Sequence, residues 1–433
     1  MNRLLKKISP GRLIALGFAA MILTGTLLLL LPAAQKPDAQ VSFTDALFTA
    51  TSAVCITGLM TVDPGSTFSG FGQTVLLLLI QIGGLGITSL GVGILALSGQ
   101  RLHFRERLLI KEALNYPTLK GVWSLIRLVL GFTFTVEFAG AVATFFLLVR
   151  EFPVGKAIWL SVFHSVAAFN NAGIDVFGRG DNLIPYAGDV AMNLVTCALI
   201  IVGGIGFFVV RDLWENRRSR RYTLQTKVVL TVTGILLAAG TVLIKITEGD
   251  GITWLGAFFA SVTARTAGFV TFHFGDFTRA GLLVMMVLMF IGASPGSTGG
   301  GMKTTTIFVA FASLRSASTN HSPEAFRRRL SAEAQHKAFV VLSLGLILVI
   351  VVAVLLCFLE PETGVEDILF ETVSAVGTVG LSTGITAQMG TAARLVLVLA
   401  MYIGRLGPLT VASLWVREPD MEISPPEEDL PIG

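Results

Sequence analysis

The chain has 433 residues, 53% of them hydrophobic and only 14% charged, with a formal net charge of +4 and a mean hydropathy of +0.75. A water-soluble fold of this length cannot hide so much apolar surface, because soluble domains leave most of their periphery to solvent. The HExxH, GxxxxGK(S/T) and GxSxG patterns are absent, and Cys55, Cys197 and Cys357 lie apart in apolar segments, which argues against the usual enzyme signatures, a disulfide framework or a thiolate metal cluster.

Eight apolar runs follow in chain order: Leu13–Leu31, Val75–Leu97, Leu128–Val149, Val190–Val210, Val228–Ile244, Leu282–Ile291, Ala338–Leu359 and Leu395–Trp415. Most reach the roughly 20 residues needed to cross a bilayer. The exception, Leu282–Ile291, stops at a Gly-rich stretch. The first run follows Lys6, Lys7 and Arg12 and ends in Pro32-Ala33-Ala34, as a cleaved leader would. It is longer than a signal h-region, so it reads as a retained first helix.

Lys and Arg concentrate in alternate connections. Arg101, Arg105, Arg107, Lys111 and Lys120 form one cluster; Arg211, Arg217, Arg218, Arg220, Arg221 and Lys227 a second; Arg315, Arg327, Arg328, Arg329 and Lys337 a third. Arg3, Lys6, Lys7 and Arg12 precede them, whereas the connections between are sparse in Lys and Arg, with Lys36, Arg150, Lys156 and Lys245, and the last of them, Glu360–Asp367, is acidic. The positive-inside rule then places both termini and the basic connections in the cytoplasm. Topology alone accounts for these clusters, and docking of a soluble partner is an equal alternative.

The sparse connections each contain an apolar stretch too short to span, and the four stretches repeat. A Phe stands ten residues before a Gly in Phe48–Gly58, Phe163–Gly173, Phe258–Gly268 and Phe370–Gly380, with small or hydroxyl residues between. Downstream, a second mark recurs as Ile82-Gly83-Gly84-Leu85-Gly86, Val202-Gly203-Gly204-Ile205-Gly206, Ile291-Gly292-Ala293-Ser294-Pro295 and Ile403-Gly404-Arg405-Leu406-Gly407. The organisation is therefore an all-α integral membrane protein of four tandem helix–loop–helix units over 9–98, 120–211, 226–314 and 337–416, with an acidic tail at 417–433. Irregular backbone at membrane depth survives only where protein buries it or water lines it. A half-helix ending in a Gly turn aims backbone carbonyls at whatever the four units enclose, and such a ring replaces the hydration shell of a monovalent cation. The bland alternative, four short interfacial helices ending at Gly, does not explain the shared register.

At Ser52–Leu59, Ala168–Gly173, Thr263–Phe269, Ser374–Leu381 and Tyr402–Thr410 the chain resembles the TrkH/KtrB family of bacterial potassium-uptake proteins, over about Ser9 to Trp415 and closest to the KtrB branch. The resemblance implies a pseudo-fourfold potassium pore in the bacterial inner membrane, a homodimer in the lipid bilayer, and a cytosolic nucleotide-binding ring of the KtrA/TrkA kind. Nucleic acid has no place among these partners. The chain carries no nucleotide fingerprint of its own, so nucleotide control falls to that partner. The filter is then expected from Val54, Cys55, Ile56, Thr57 and Gly58; Asn170, Asn171, Ala172 and Gly173; Arg265, Thr266, Ala267 and Gly268; and Gly377, Thr378, Val379 and Gly380. Only Thr378-Val379-Gly380 matches the Thr-Val-Gly of tetrameric potassium channels, which leaves selectivity among potassium, rubidium and sodium open, with sodium a candidate regulator. No cofactor is implied beyond the transported K+.

The segment Gly292, Ala293, Ser294, Pro295, Gly296, Ser297, Thr298, Gly299, Gly300, Gly301 cannot sustain an ordinary helix. Family resemblance makes it an intramembrane loop beneath the filter, with Lys303 just beyond it. Arg405 replaces the Gly84, Gly204 and Ala293 of the other units; a mid-membrane Arg faces a partner or a cavity. It reads as a positive barrier that also holds the Gly-rich loop, against the alternative of a bracing salt bridge. Arg265 reads as pairing with Glu371 or another buried acid to fix loop geometry, against the alternative of tuning the filter's field, His164 as a hydrogen-bonded packing residue, and Glu137 as bonded within the bundle. Asp63, Asp175 and Asp276 stand where they can gather cations at the mouth, with surface solvation alone a nearly equal explanation. An alternating-access cation transporter is the alternative, but such folds show two inverted halves rather than four parallel units. A membrane-embedded enzyme would need converging acids or metal ligands, which the sequence lacks.

Overall fold

The computed structural model describes residues 10–86, 122–219, 221–319, 322–407 and 410–411. The remainder of the first unit after Gly86, the first basic cluster, residues 412–416 and the acidic tail lie outside the described residues. Four units follow one another. The first contains α1 (Pro10–Leu29), α2 (Phe43–Cys55) and α3 (Gly70–Leu85). The second contains α4 (Val122–Leu148), α5 (Val154–Phe169), α6 (Val190–Ile205) and α7 (Phe207–Glu215). The third contains α8 (Leu224–Glu248), α9 (Trp254–Thr263), α10 (Arg279–Phe290) and α11 (Thr304–Thr319), and the fourth α12 (Ala332–Leu359), α13 (Val365–Gly377) and α14 (Thr391–Leu406). Among the described residues the strand content is one small hairpin, Glu324–Ala325 against Arg328–Arg329.

The opening helix of each unit is long and apolar enough to cross a membrane. At about 1.5 Å per residue, the 27 residues of α4 cover about 40 Å. Their outward faces leave large apolar side chains uncovered, with Phe358 83%, Phe138 72% and Ile246 70% exposed. Such a surface needs lipid or another apolar partner. The middle helices α2, α5, α9 and α13 have only 13, 16, 10 and 13 residues. They lie inside the ring of the others, with Phe48, Phe163 and Phe370 fully buried. In the third unit the buried ring is Phe259, while the expected anchor Phe258 is only partly covered, because α9 is shorter and rotates its register by one residue.

The units close in a circle: α3 packs on α5, α6 on α9, α10 on α13, and α14 returns to α2. Each closing helix thus braces the middle helix of the next unit. At the seam between the last and first units, Arg394 Nη1 meets Asp45 Oδ1 at 2.8 Å, with both side chains largely buried.

One expectation needs correction. The runs at Val190–Val210 and Leu395–Trp415 read as continuous spans, with a break in the third unit alone. Instead α6 and α7 meet at 88°, and α14 stops at Leu406. The bend falls on the third Gly of the repeated mark. Gly86, Gly206 and Gly407 hold φ of 79°, 98° and 87° with ψ of 137°, 138° and 136°, a region that L side chains avoid. In the third unit Pro295 takes that place and the interruption widens into the Gly-rich loop.

Candidate functional site

Each middle helix runs inward and ends in an irregular segment of one conformation. Ile56, Asn171, Thr266 and Thr378 have φ of 55°, 57°, 68° and 50°, and the Gly two residues later has φ of 96°, 62°, 75° and 93°. Those four are among only seven non-Gly residues with positive φ in the described chain. Left-handed backbone at a β-branched residue costs roughly 1–2 kcal/mol, so its recurrence in register marks a geometry imposed by the surroundings. Alternating the hand of successive residues turns their carbonyls toward one side.

The amide hydrogens of these segments are directed back to their own helix. Thr57 N donates to Ser52 O at 2.9 Å and Gly58 N to Ser52 Oγ at 3.0 Å; Val379 N and Gly380 N repeat this on Ser374 O and Oγ at 2.8 and 3.0 Å. Ala172 N reaches Ala167 O at 2.8 Å and Ala267 N reaches Thr263 O at 3.0 Å. Among the described residues no donor reaches the carbonyls of Thr57, Ala172, Ala267 or Val379. These four oxygens face the glycines of the preceding segments around a closed ring. A β-carbon at Gly58 would lie 2.8 Å from Ala172 O; at Gly173, 2.7 Å from Ala267 O; at Gly268, 2.6 Å from Val379 O; at Gly380, 2.0 Å from Thr57 O. Only glycine lets the four strands approach so closely. The C-termini of four helices also point here, each adding roughly half a negative charge.

The second repeated mark supports this ring from beneath. A β-carbon at Gly83, Gly203 or Gly404 would lie 2.2, 1.9 or 2.2 Å from the carbonyl oxygens of Val54, Phe169 and Val376. Each closing helix therefore presses on the last turn of its own middle helix.

The Gly-rich loop crosses under the ring. Its backbone is held by α6, with Ser294 N on Gly204 O at 3.1 Å, and by the Thr298 hydroxyl, which reaches Phe169 O and Gly203 O at 3.2 Å each. Gly299 and Gly300 abut the Thr266 and Thr378 hydroxyls, at 2.3 and 2.1 Å from where their β-carbons would lie. Both hydroxyls are buried and unpartnered within the chain. Gly301 lies against Gly377 O in the same way. Arg405 Nη1 donates to Thr298 O at 2.6 Å and Nη2 to Gly83 O at 2.5 Å, so one guanidinium joins the loop to the first and fourth units. Lys303 Nζ donates to Gly299 O and Gly300 O at 2.8 and 3.3 Å. Neither cation forms an ion pair among the described residues. The bracing salt bridge considered for Arg405 is not made.

Arg265 departs from expectation. It is 6% exposed with an unpartnered Nε, and no acid pairs with it among the described residues. Glu371 is taken by its own unit, accepting from Ser382 Oγ, from Thr383 N at 3.2 Å and from Thr386 Oγ1 at 2.7 Å. His164 bonds Thr196 Oγ1 at 2.9 Å, and Cys55 is wholly buried behind the first segment. Asp63 caps the turn Pro64–Thr67 through Gly65 N and Ser66 N, and Asp276 is exposed. Asp175, two residues past Gly173, accepts from Phe177 N at 3.0 Å. Burial pushes its carboxyl up to about 6, the Phe177 amide opposing and the nearby Asp63 and Asp181 adding to the rise.

Sequence reasoning missed Ser52 and Ser374, Asn182 and Gln81. Asn182 bridges two segments, donating to Gly173 O at 3.1 Å and accepting from Val270 N at 3.2 Å. Gln81 was visible as the polar residue in the run Val75–Ile82.

Four units, each opened by a helix long and apolar enough to cross a bilayer, define an all-α multi-pass membrane protein. Residues 17–422 match the family model for TrkH, the cation transport proteins, and the chain belongs to that family. It is 39% identical to the potassium/sodium uptake protein NtpJ of Enterococcus hirae, over 100% of this chain and 99% of that one. It is 37% identical to the Ktr system potassium uptake protein B of Bacillus subtilis, over 99% and 97%. The crystal structure of the potassium transporter TrkH from Vibrio parahaemolyticus shares the fold, with a TM-score of 0.73 at 19% identity, over 95% of this chain and 86% of that one. The chain is thus a multi-pass transport protein and not an enzyme.

Proposed function

We propose that this protein takes up potassium through a filter built from its four inward segments. The ring of four unclaimed carbonyls, set by one repeated backbone conformation, carries the reading. Oxygens so placed replace a cation's hydration shell, and four helix C-termini favour the charge. The names of the similar proteins from Enterococcus hirae and Bacillus subtilis, which specify potassium or potassium with sodium, support the same substrate. Val54–Gly58, Asn170–Gly173, Arg265–Gly268 and Gly377–Gly380 are the proposed filter residues, with K+ on their backbone oxygens.

Gly292–Gly301 with Lys303 and Arg405 is the proposed gate. The loop lies against the hydroxyls of Thr266 and Thr378, and Lys303 and Arg405, which form no ion pair among the described residues, stand beside it. Both termini face the cytoplasm in this reading, the protein is a homodimer in the cell membrane, and a nucleotide-binding ring docks on the basic connections. Sodium acts as a regulator.

Reconstitution tests the core of the reading. Purified protein in potassium-loaded vesicles should accumulate rubidium tracer down its gradient, and external sodium should compete weakly. Sodium and rubidium entering equally would reject the selective filter. Saturable flux with fixed stoichiometric coupling would reject the pore in favour of alternating access.

A further inference from the structure

The residue three before the loop Gly differs in every unit: Cys55, Asn170, Arg265 and Gly377. Asn170 alone among them bonds through its side chain to other helices in the described chain. Its Nδ2 donates to Glu137 Oε1 on α4 at 3.0 Å, to Gln81 Oε1 on α3 at 3.1 Å and to Val166 O at 2.9 Å. Gln81 Nε2 in turn donates to Glu137 Oε2 at 3.3 Å, closing a three-residue cluster. Glu137 is 5% exposed and Asn170 wholly buried. On the other side Asn170 Oδ1 is pressed on Gly84, where a β-carbon would lie 1.9 Å away. The side chain is thus clamped between two helices, and the left-handed Asn171 follows directly.

The equivalent places around the third segment, on α6 of the second unit and α8 of the third, are apolar. Counting two back from Gly203 gives Ile201 where Gln81 precedes Gly83, and three back from Gly240 gives Leu237 where Glu137 precedes Gly140. Gly140 and Gly240 are matched by their contacts, each abutting a serine hydroxyl, Ser165 or Ser261, and a leucine, Leu199 or Leu288. The clamp therefore belongs to the second segment, whose own sequence, Asn170-Asn171-Ala172-Gly173, shares only its Gly with Thr-Val-Gly. A buried carboxyl is costly at membrane depth, and its placement here needs a use beyond packing.

We infer that Glu137 is a positioning residue for ion discrimination: through Asn170 it sets the place of the Ala172 carbonyl in the ring. Rigid spacing matters because a smaller cation is rejected only where the oxygens do not follow it inward. The inference rests on the potassium-filter reading above. The same turn of α3 carries Gly83 O, which Arg405 holds, so the second segment and the Gly-rich loop share one support.

The test uses Glu137→Gln, Asn170→Ser and the double variant, reconstituted and compared by the ratio of rubidium to sodium tracer uptake. Gln keeps the volume of Glu but must turn an N–H toward one of the two donors. Each single change should lower the ratio about tenfold, the size of one lost hydrogen bond in a buried cluster. The double variant should fall no further, since both changes break one connection. Additive losses, or an unchanged ratio in folded single variants, would overturn the inference. Loss of folding in both would also overturn it, by assigning the cluster to assembly alone. An unselective wild-type protein would instead reject the filter reading itself.

Discussion

Replacing Arg405 by Ala separates a gate from a brace. The guanidinium donates to Thr298 O at 2.6 Å and Gly83 O at 2.5 Å and meets no acid among the described residues. A hydrogen bond from a charged group contributes about 1.5–3 kcal/mol, and water that takes the place of the lost side chain would recover part of it. A net loss of about 1.4 kcal/mol in the loop's tether shifts the balance of held and released loop about tenfold. Removing the positive charge lowers the barrier to a passing cation, so both effects act in one direction. The assay is the initial rate of rubidium uptake into vesicles, normalised to reconstituted protein, beside the melting temperature. Arg405→Ala should raise the rate about tenfold, and Arg405→Lys, which can span only one carbonyl, should lie between. A folded Ala variant within about twofold of wild type, or slower than it, would refute both tether and barrier.

Gly380→Ala places a β-carbon 2.0 Å from Thr57 O at a φ of 93°, and should abolish rubidium-over-sodium preference in protein that still inserts. Gly384→Ala is the control: its φ is 103° but no atom lies within 4 Å, so it bears only the backbone cost of roughly 1–2 kcal/mol and keeps the preference. Asp175, pushed up to about 6, carries its charge at pH 7 and loses it by pH 5, so uptake at low potassium should fall as the pH is lowered through 6. Because the folded value lies above the ordinary 3.8, the native state holds that proton more tightly, and the fold gains stability as pH falls from about 6 to about 4. Asp175→Asn should remove both dependences, as read by tracer uptake and thermal melts. Arg394→Ala opens the seam at Asp45 and should cost about 2 kcal/mol of stability, read as a lower melting temperature, with Asp45→Ala adding little to it.

Much of this architecture is written in local sequence. Apolar length alone marks α1, α4, α8 and α12 as spans, because a bilayer demands about 20 residues whatever the neighbours are. The register of Gly58, Gly173, Gly268 and Gly380 is visible because glycine alone takes the required φ with a carbonyl against it. The bend at Gly206 is not legible in the sequence, since hydropathy continues unbroken through it and only the chain's path shows the turn. Nor does the fixed spacing from Gly268 to Phe258 show that the neighbouring Phe259 is the buried ring.

Partnership is what sequence could not set. Arg265 and Glu371 are the natural pair by charge, yet Glu371 turns to Ser382, Thr383 and Thr386, and Arg265 has no acid. Arg405 bonds Thr298, 107 residues away, and Gly83, 322 residues away. Glu137, Gln81 and Asn170 meet only because α3, α4 and α5 pack together. Composition and glycine register determine that this is a membrane protein of four repeated units with an inward segment in each. Which polar groups hold those segments is decided by tertiary packing, because a buried hydrogen bond depends on where helices cross and not on what lies beside it in the chain.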